Sequence, residues 1–348
     1  MQNAHSASSP SGAQERQARL LAIVDRFAAR RVAVVGDIVA DEFLSGQISR
    51  VSREAPVLIL RYHSTTIAPG GGGNAANNVA ALGGGVDLFG LVGQDEEGRA
   101  LARAFLPAVR QRGLMRPAGY RTPTKTRVLA GGIHSAKQQI VRIDREPADP
   151  PPAPVLQAFI EKVLSGIGQA DAVLLSDYGY GVVTPLLAEA VAHRLKSRSR
   201  PVPVLVDSRY NLGAFRDVTA CTPNQPEVEQ LLATRINDDL EALERAGRTL
   251  LRRLRMSAVI VTRGSSGMSL FEPKAPTLHI PIFGSDEIAD VTGAGDTVIA
   301  TVSLALAAGA TFEEAARLAN YAGGLVVMKR GTATVSAEEL KQAIAADR

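Results

Sequence analysis

Short aliphatic runs alternate with amphipathic segments along most of this 348-residue chain, and that alternation limits the fold more than any other feature. The runs Arg31–Val35, Ala172–Ser176, Val202–Val206 and Ala258–Thr262 are apolar almost throughout, as strands buried on both faces are. Helical periodicity appears at Asn74–Leu82, Gly98–Arg112, Val155–Gly166, Pro185–Lys196, Asp239–Leu254, Ala294–Ala308, Phe312–Met328 and Ala337–Ala346. Strand and helix in turn predict an α/β fold, a parallel-sheet core with helices on both faces. Ligands in such folds gather beyond the carboxyl ends of the strands. Asp37, Asp177, Asp207 and Gly264 all fall there.

Two stretches break the alternation. Segments of about 45–62 and 121–144 carry β-type patterning without intervening helices, so they predict a small β lid inserted in the core. The Pro-rich stretch 146–154 then reads as the return to the core. Residues 1–15 are small and polar and predict a disordered leader, with one folded unit over 16–348. No apolar stretch has membrane-spanning length and no h-region follows the first Met, so neither membrane nor export is expected. The single cysteine, Cys221, follows an apolar run and reads as a buried structural thiol in a reducing cytoplasm. Net charge is +4 and aromatics are 4% of residues with no Trp, which disfavours nucleic acid and leaves phosphorylated small molecules as partners.

The sharpest chemical signal is Asp290-Val291-Thr292-Gly293-Ala294-Gly295-Asp296, placed where a helix begins. The unsatisfied amides and positive dipole of a helix start attract anions, and the small residues Gly293, Ala294 and Gly295 admit one closely. A carboxylate at such a turn repels an anion unless it has another task. Taking a proton from an attacking hydroxyl is that task in phosphoryl transfer, so Asp296 reads as a general base; an ordinary helix cap is the structural alternative.

Weaker constellations accompany it. Pro69-Gly70-Gly71-Gly72-Gly73-Asn74 precedes a helix; Gly71 and Gly72 let the chain lie flat on a polar ligand, and Asn74 suits sugar hydroxyls, or the run is a linker with an Asn cap. Asp37 and Asp41 follow the first strand and suit vicinal hydroxyls, or form a solvated loop pair. Asn224 and Glu227, three apart at a Pro-set helix start, suit Mg²⁺ held through water or a capping box. Thr262, Gly264 and Gly267 follow a strand and suit nucleotide phosphates or a plain tight turn. Walker A, Gly-x-Gly-x-x-Gly and Gly-x-Ser-x-Gly patterns are missing, and the five histidines lack metal-ligand spacing.

Taken in order over roughly residues 30–345, these motifs resemble those of the ribokinase-like (PfkB) carbohydrate kinases. The resemblance implies ATP-dependent phosphorylation of a sugar hydroxyl, with Asp296 as base and the 293–295 amides on the developing charge. It further implies Asn224 and Glu227 at Mg²⁺, Thr262, Gly264 and Gly267 at the ATP phosphates, and Asn320 near the adenine. Asp290 and Thr292 match part of the family's monovalent-cation site, which in relatives takes K⁺.

Within the family, four strings resemble the D-glycero-β-D-manno-heptose-7-phosphate kinases: residues 49–57, 125–129, 138–144 and 175–181. That likeness implies transfer to the anomeric hydroxyl, giving the 1,7-bisphosphate used for ADP-heptose and lipopolysaccharide core synthesis. Asp41, Gly71, Gly72, Asn74 and Asp177 are then the sugar-binding candidates. Lys125, Arg127, Lys137 and Arg142 are candidates for the sugar's phosphate, a task that suits Arg. Tyr180 stands where such kinases usually carry Lys. A chain ending at Arg348 is expected to act as a stand-alone kinase, and exposed lid edges to pair two copies into a dimer. Other readings remain: a ribokinase- or fructokinase-type enzyme, a nicotinamide oxidoreductase, or a sugar-binding regulator.

Overall fold

A computed structural model describes residues 12–131, 137–284, 290–329 and 331–347. Among them the strands are β1 (Arg31–Gly36), β2 (Ile38–Val51), β3 (Leu58–Gly71), β4 (Gly85–Leu91), β5 (Val109–Met115), β6 (Thr124–Gly131), β7 (Gln138–Arg145), β8 (Ala172–Asp177), β9 (Val204–Ser208), β10 (Ala220–Cys221), β11 (Ala258–Thr262), β12 (Met268–Phe271) and β13 (Leu278–Ile280). Nine of these form one sheet in the order β13-β12-β11-β10-β9-β8-β1-β4-β5. From β11 to β5 every pairing is parallel; β12 and β13 add an antiparallel edge.

The helices are α1 (Gly12–Val24), α2 (Gly72–Ala81), α3 (Glu96–Ala104), α4 (Ala153–Gly166), α5 (Pro185–Lys196), α6 (Gln225–Leu232), α7 (Leu240–Leu254), α8 (Ala294–Ala307), α9 (Phe312–Val327) and α10 (Ala337–Ala346). They cover both faces. Successive strand residues point to opposite sides, so Val32, Val34, Leu174 and Ile260 pack under α1, α2, α8, α9 and α10. Ala33, Val35, Val173, Leu175 and Val259 pack under α4, α5 and α7. Cys221 is fully buried in the second layer, where burial pushes its thiol up.

A separate four-stranded sheet, β3-β2-β6-β7, forms the lid. Its strands reach further than their patterning indicates. β2 starts one residue after β1 ends, and β3 runs to the first residue before α2. Ile38, Val39 and Ala40 at the base of β2 are buried like core residues, which masks their membership of the lid.

Other expectations need correction. The helix expected over Gly98–Arg112 is α3, capped by Asp95 and ended by Phe105, followed by strand β5. Pro107 cannot donate in a helix, and Val109 onward pairs with β4 instead. The strand expected at Val202 starts at Val204, beyond Pro203. Helix α1 starts at Gly12, so residues 12–15 are helical rather than leader; residues 1–11 lie outside the described chain. No helix among the described residues is long and apolar enough to cross a membrane.

Candidate active site

Helix α8 begins where the sequence places its anion turn. Gly293 caps it in the left-handed region (φ 77°), and a Cβ there would lie 2.5 Å from the Asn74 Nδ2, so only glycine fits. The first-turn amides of Gly295 and Asp296 have no helical acceptor, while the Ala294 amide makes a long 3.3 Å bond to the Val291 carbonyl. Asp296 itself is buried at 3% exposure. Asn74 Nδ2 donates to its Oδ2 at 2.7 Å, and the Tyr178 hydroxyl donates to its Oδ1 at 3.0 Å.

Asn74 is fixed in turn from behind. Asn78 Nδ2 donates to the Asn74 carbonyl and to its Oδ1, and the Thr297 hydroxyl donates to Asn78 Oδ1. Burial pushes the Asp296 carboxyl up to about 7, against the pull of the Asn74 and Tyr178 hydrogen bonds. A carboxyl poised near neutrality and held by two donors is suited to accept a proton.

One cleft of about 420 Å³ is lined by Asn224, Glu227, Thr262, Gly264, Gly267, Gly293, Ala294, Gly295, Asp296 and Asn320. The expected nucleotide residues and the base therefore share a single cavity. Asn224 and Glu227 do form a capping box: Asn224 Oδ1 accepts from the Glu227 amide and Glu227 Oε2 from the Asn224 amide. Both side chains line the cleft and present oxygens to it, so the pair fits an oxygen-coordinated Mg²⁺ that retains water. Gly267 (φ 80°) turns the chain so tightly that a Cβ would meet the Ile280 carbonyl, and the Asn320 amide donates to the Pro281 carbonyl at 2.8 Å. Beside the turn, Asp290 accepts from the amides of Thr292 and Gly331, drawing the two segments of the expected monovalent-cation site together.

The sugar-side candidates divide into two groups. Asp41, Gly71, Gly72 and Asn74 gather at the lid base, where Asp41 lies close enough to raise the Asp296 carboxyl by its charge. Gly71 has φ 56°, and a Cβ there would meet the Asp37 carbonyl. Arg127, 12% exposed, reaches down from β6 to Asp41, 8% exposed, at 2.5 Å. Lys125 instead pairs with Asp144 and Glu146, and Arg142 pairs with Asp144 on the exposed face. Lys137 donates to the Ser45 hydroxyl. Asp177 is spent on the Ser208 hydroxyl and the Gly179 amide. Tyr180 sends its hydroxyl to Glu146.

Two site residues, Tyr178 and Arg209, escaped the sequence reading, and Asp207 carries in the sequence only its strand-end position. Tyr178 lies in a string noted for likeness alone, and nothing local marks it as a partner of a residue 118 positions later. Asp207 and Arg209 line the same cleft from the end of β9. The strand-end position of Asp207 is visible in the sequence; the approach of Arg209 to the base is not.

The profile of pfkB family carbohydrate kinases matches residues 29–340. The chain is 41% identical over 318 residues to the bifunctional protein HldE of Citrifermentans bemidjiense, covering 91% of this chain and 63% of that one. It is 43% identical to HldE of Methylococcus capsulatus, covering 92% of this chain and 65% of the relative. The chain thus spans less than two thirds of the length of these relatives. In structure it is similar to Arabidopsis thaliana ribokinase complexed with ribose and ATP (TM-score 0.68, 20% identity, 90% of this chain and 98% of that one). It is also similar to Escherichia coli phosphofructokinase-2 in complex with potassium (TM-score 0.72, 18% identity, 91% and 98%). At such identities the structures share a fold with this chain.

Proposed function

The chain belongs to the pfkB family of carbohydrate kinases, and from that premise we propose that it transfers the γ-phosphoryl group of ATP to the anomeric hydroxyl of D-glycero-β-D-manno-heptose 7-phosphate. The observation that carries the kinase chemistry is Asp296, buried and held by Asn74 and Tyr178 in the cleft that the nucleotide candidates line. Asp296 takes the hydroxyl proton as the sugar oxygen attacks the γ-phosphorus. The free amides of the α8 turn meet the charge that develops on the phosphoryl oxygens. Asn224 and Glu227 would hold Mg²⁺, which when bound neutralises phosphate charge.

The choice of heptose 7-phosphate rests on the lid strings that resemble the heptose kinases, and the likeness to HldE across 91% of the chain supports it. The product would be the 1,7-bisphosphate, an ADP-heptose precursor made in the cytoplasm. Asp290 and Thr292 are the proposed K⁺-site residues, with the Gly331 amide donating to Asp290 Oδ2. The exposed apolar residues Val51, Tyr62, Val141 and Ile143 support pairing of two lids in a homodimer, which would bury them and cover the open strand edges.

ADP production from Mg²⁺-ATP with heptose 7-phosphate, ribose, fructose and fructose 6-phosphate tests the reading, with Asp296→Asn as control. Turnover on heptose 7-phosphate alone is expected. Turnover on another sugar keeps the kinase and overturns the heptose; silence on all four overturns both.

A further inference from the structure

Arg209 is the first residue after β9, and its amide is tied to the Asp177 carbonyl of β8 at 3.0 Å. Its side chain lines the cleft, shares a hydrogen bond with Tyr210, and makes no ion pair with a carboxylate among the described residues. Yet three acidic groups surround it. Asp207, Glu227 and Asp296 line the same cleft, and the Arg209 charge favours the ionised form of each without bonding any of them. Its guanidinium lies 6.0 Å from the centre of the Tyr178 ring, the same ring whose hydroxyl holds the base.

A cleft carrying that many carboxylates is a poor receptor for a polyanion unless a cation is kept available. Arg209 is the one Arg or Lys among the described residues lining this cleft, and unlike Arg19, Arg142, Arg145 and Arg255 it is not paired with a carboxylate. Arg209 stands at the carboxyl end of a central strand, facing the turn where phosphoryl charge is received. Its planar fork matches phosphate oxygens.

We propose that Arg209 binds the γ-phosphoryl group of ATP and follows it through transfer, acting with the α8 amides as a catalytic residue. This rests on the kinase reading above but not on the identity of the sugar. In the step, the sugar oxygen bonds to the γ-phosphorus, the bond from that phosphorus to the β-phosphate oxygen breaks, and ADP leaves. The hydroxyl proton goes to Asp296. Arg209 exchanges no proton; it offsets charge on the moving oxygens.

Two variants and two readouts test it. Arg209→Ala is expected to lower kcat on the order of 10²-fold or more, in line with the worth of arginine in phosphoryl transfer. The sugar KM should stay within about threefold, and Arg209→Lys should restore part of the loss. The second readout needs no sugar: calorimetric affinities for Mg²⁺-ATP and Mg²⁺-ADP. Arg209→Ala should weaken ATP binding about tenfold more than ADP binding, the loss expected of a contact made only to the terminal phosphate. Equal weakening of ATP and ADP, or a kcat within threefold of wild type, overturns the proposal. Should heptose 7-phosphate prove the wrong sugar, the nucleotide comparison still decides Arg209.

Discussion

Tyr178 and Asp296 are joined by a 3.0 Å hydrogen bond from the phenol to Oδ1, across 118 residues of chain. With Asn74 on Oδ2, this bond fixes the plane of the carboxylate and favours its ionised form. Burial opposes it. The base is thus set by two donors against one large desolvation.

Those opposing effects predict a pH profile. Asp296 accepts a proton only when ionised, and its carboxyl is pushed up to about 7. kcat/KM should therefore fall about tenfold per pH unit below 7 and level off above it. Asp296→Asn should lose roughly 10²–10⁴ in kcat, the usual worth of a general base, and leave no acid limb there. A flat profile for wild type between pH 5.5 and 8 would remove Asp296 from the proton-accepting role.

Tyr178→Phe removes a donor to the carboxylate, so the Asp296 carboxyl should titrate still higher. The acid limb is expected to move upward by about one unit, with a loss of about fivefold at pH 7 that approaches tenfold below it and shrinks as pH rises. Steady-state rates across pH read this directly. A uniform loss at every pH would assign Tyr178 to packing instead.

Arg127 and Asp41 are a buried pair, so removing one partner strands the other. Arg127→Ala should cost about 3–5 kcal/mol of stability by the usual penalty for an unpaired buried charge. Arg142 is half exposed beside Asp144, and exposed pairs are worth about 0–1 kcal/mol. Thermal melts should separate the two variants. If Arg142 also meets the sugar's phosphate, Arg142→Ala raises the sugar KM with kcat largely kept.

Asp37 offers a second test of buried charge. It sits fully buried at the end of β1, with Oδ2 bonded to the Tyr178 and Tyr180 amides and Oδ1 unpartnered. Burial pushes it up to about 7, above the unfolded carboxylate value near 3.9. The folded state thus holds this proton more tightly than the unfolded chain. Its contribution is full below about 4 and is lost as pH rises through 7. Asp37→Asn should therefore gain melting temperature relative to wild type more at pH 8 than at pH 5.

Much of this was legible in the sequence because it depended on neighbours in the chain. Continuous apolar runs marked β8 and β11, and the Gly-Ala-Gly-Asp turn marked the start of α8. The lid base was not legible, because Ile38–Ala40 are as buried as core strand residues. The split of α3 from β5 was hidden by apolar spacing that suits either, until Pro107 and pairing with β4 decide it. Tyr178 and Arg209 acquire their roles only when β8, β9 and α8 converge, which no local pattern encodes. Charge alone marks the phosphate candidates of the lid, and charge does not say that Lys125, Arg127 and Arg142 already have carboxylates.

The seam between β3 and α2 has a mechanical consequence. β3 ends at Gly71 and α2 opens at Gly72, two residues before Asn74. No slack lies between the lid strand and the amide that grips Asp296. A displacement of that strand is therefore passed to the carboxylate through a rigid joint. On the proposed function, an acceptor that seats the lid would tune its own base, and water, which cannot seat it, would not.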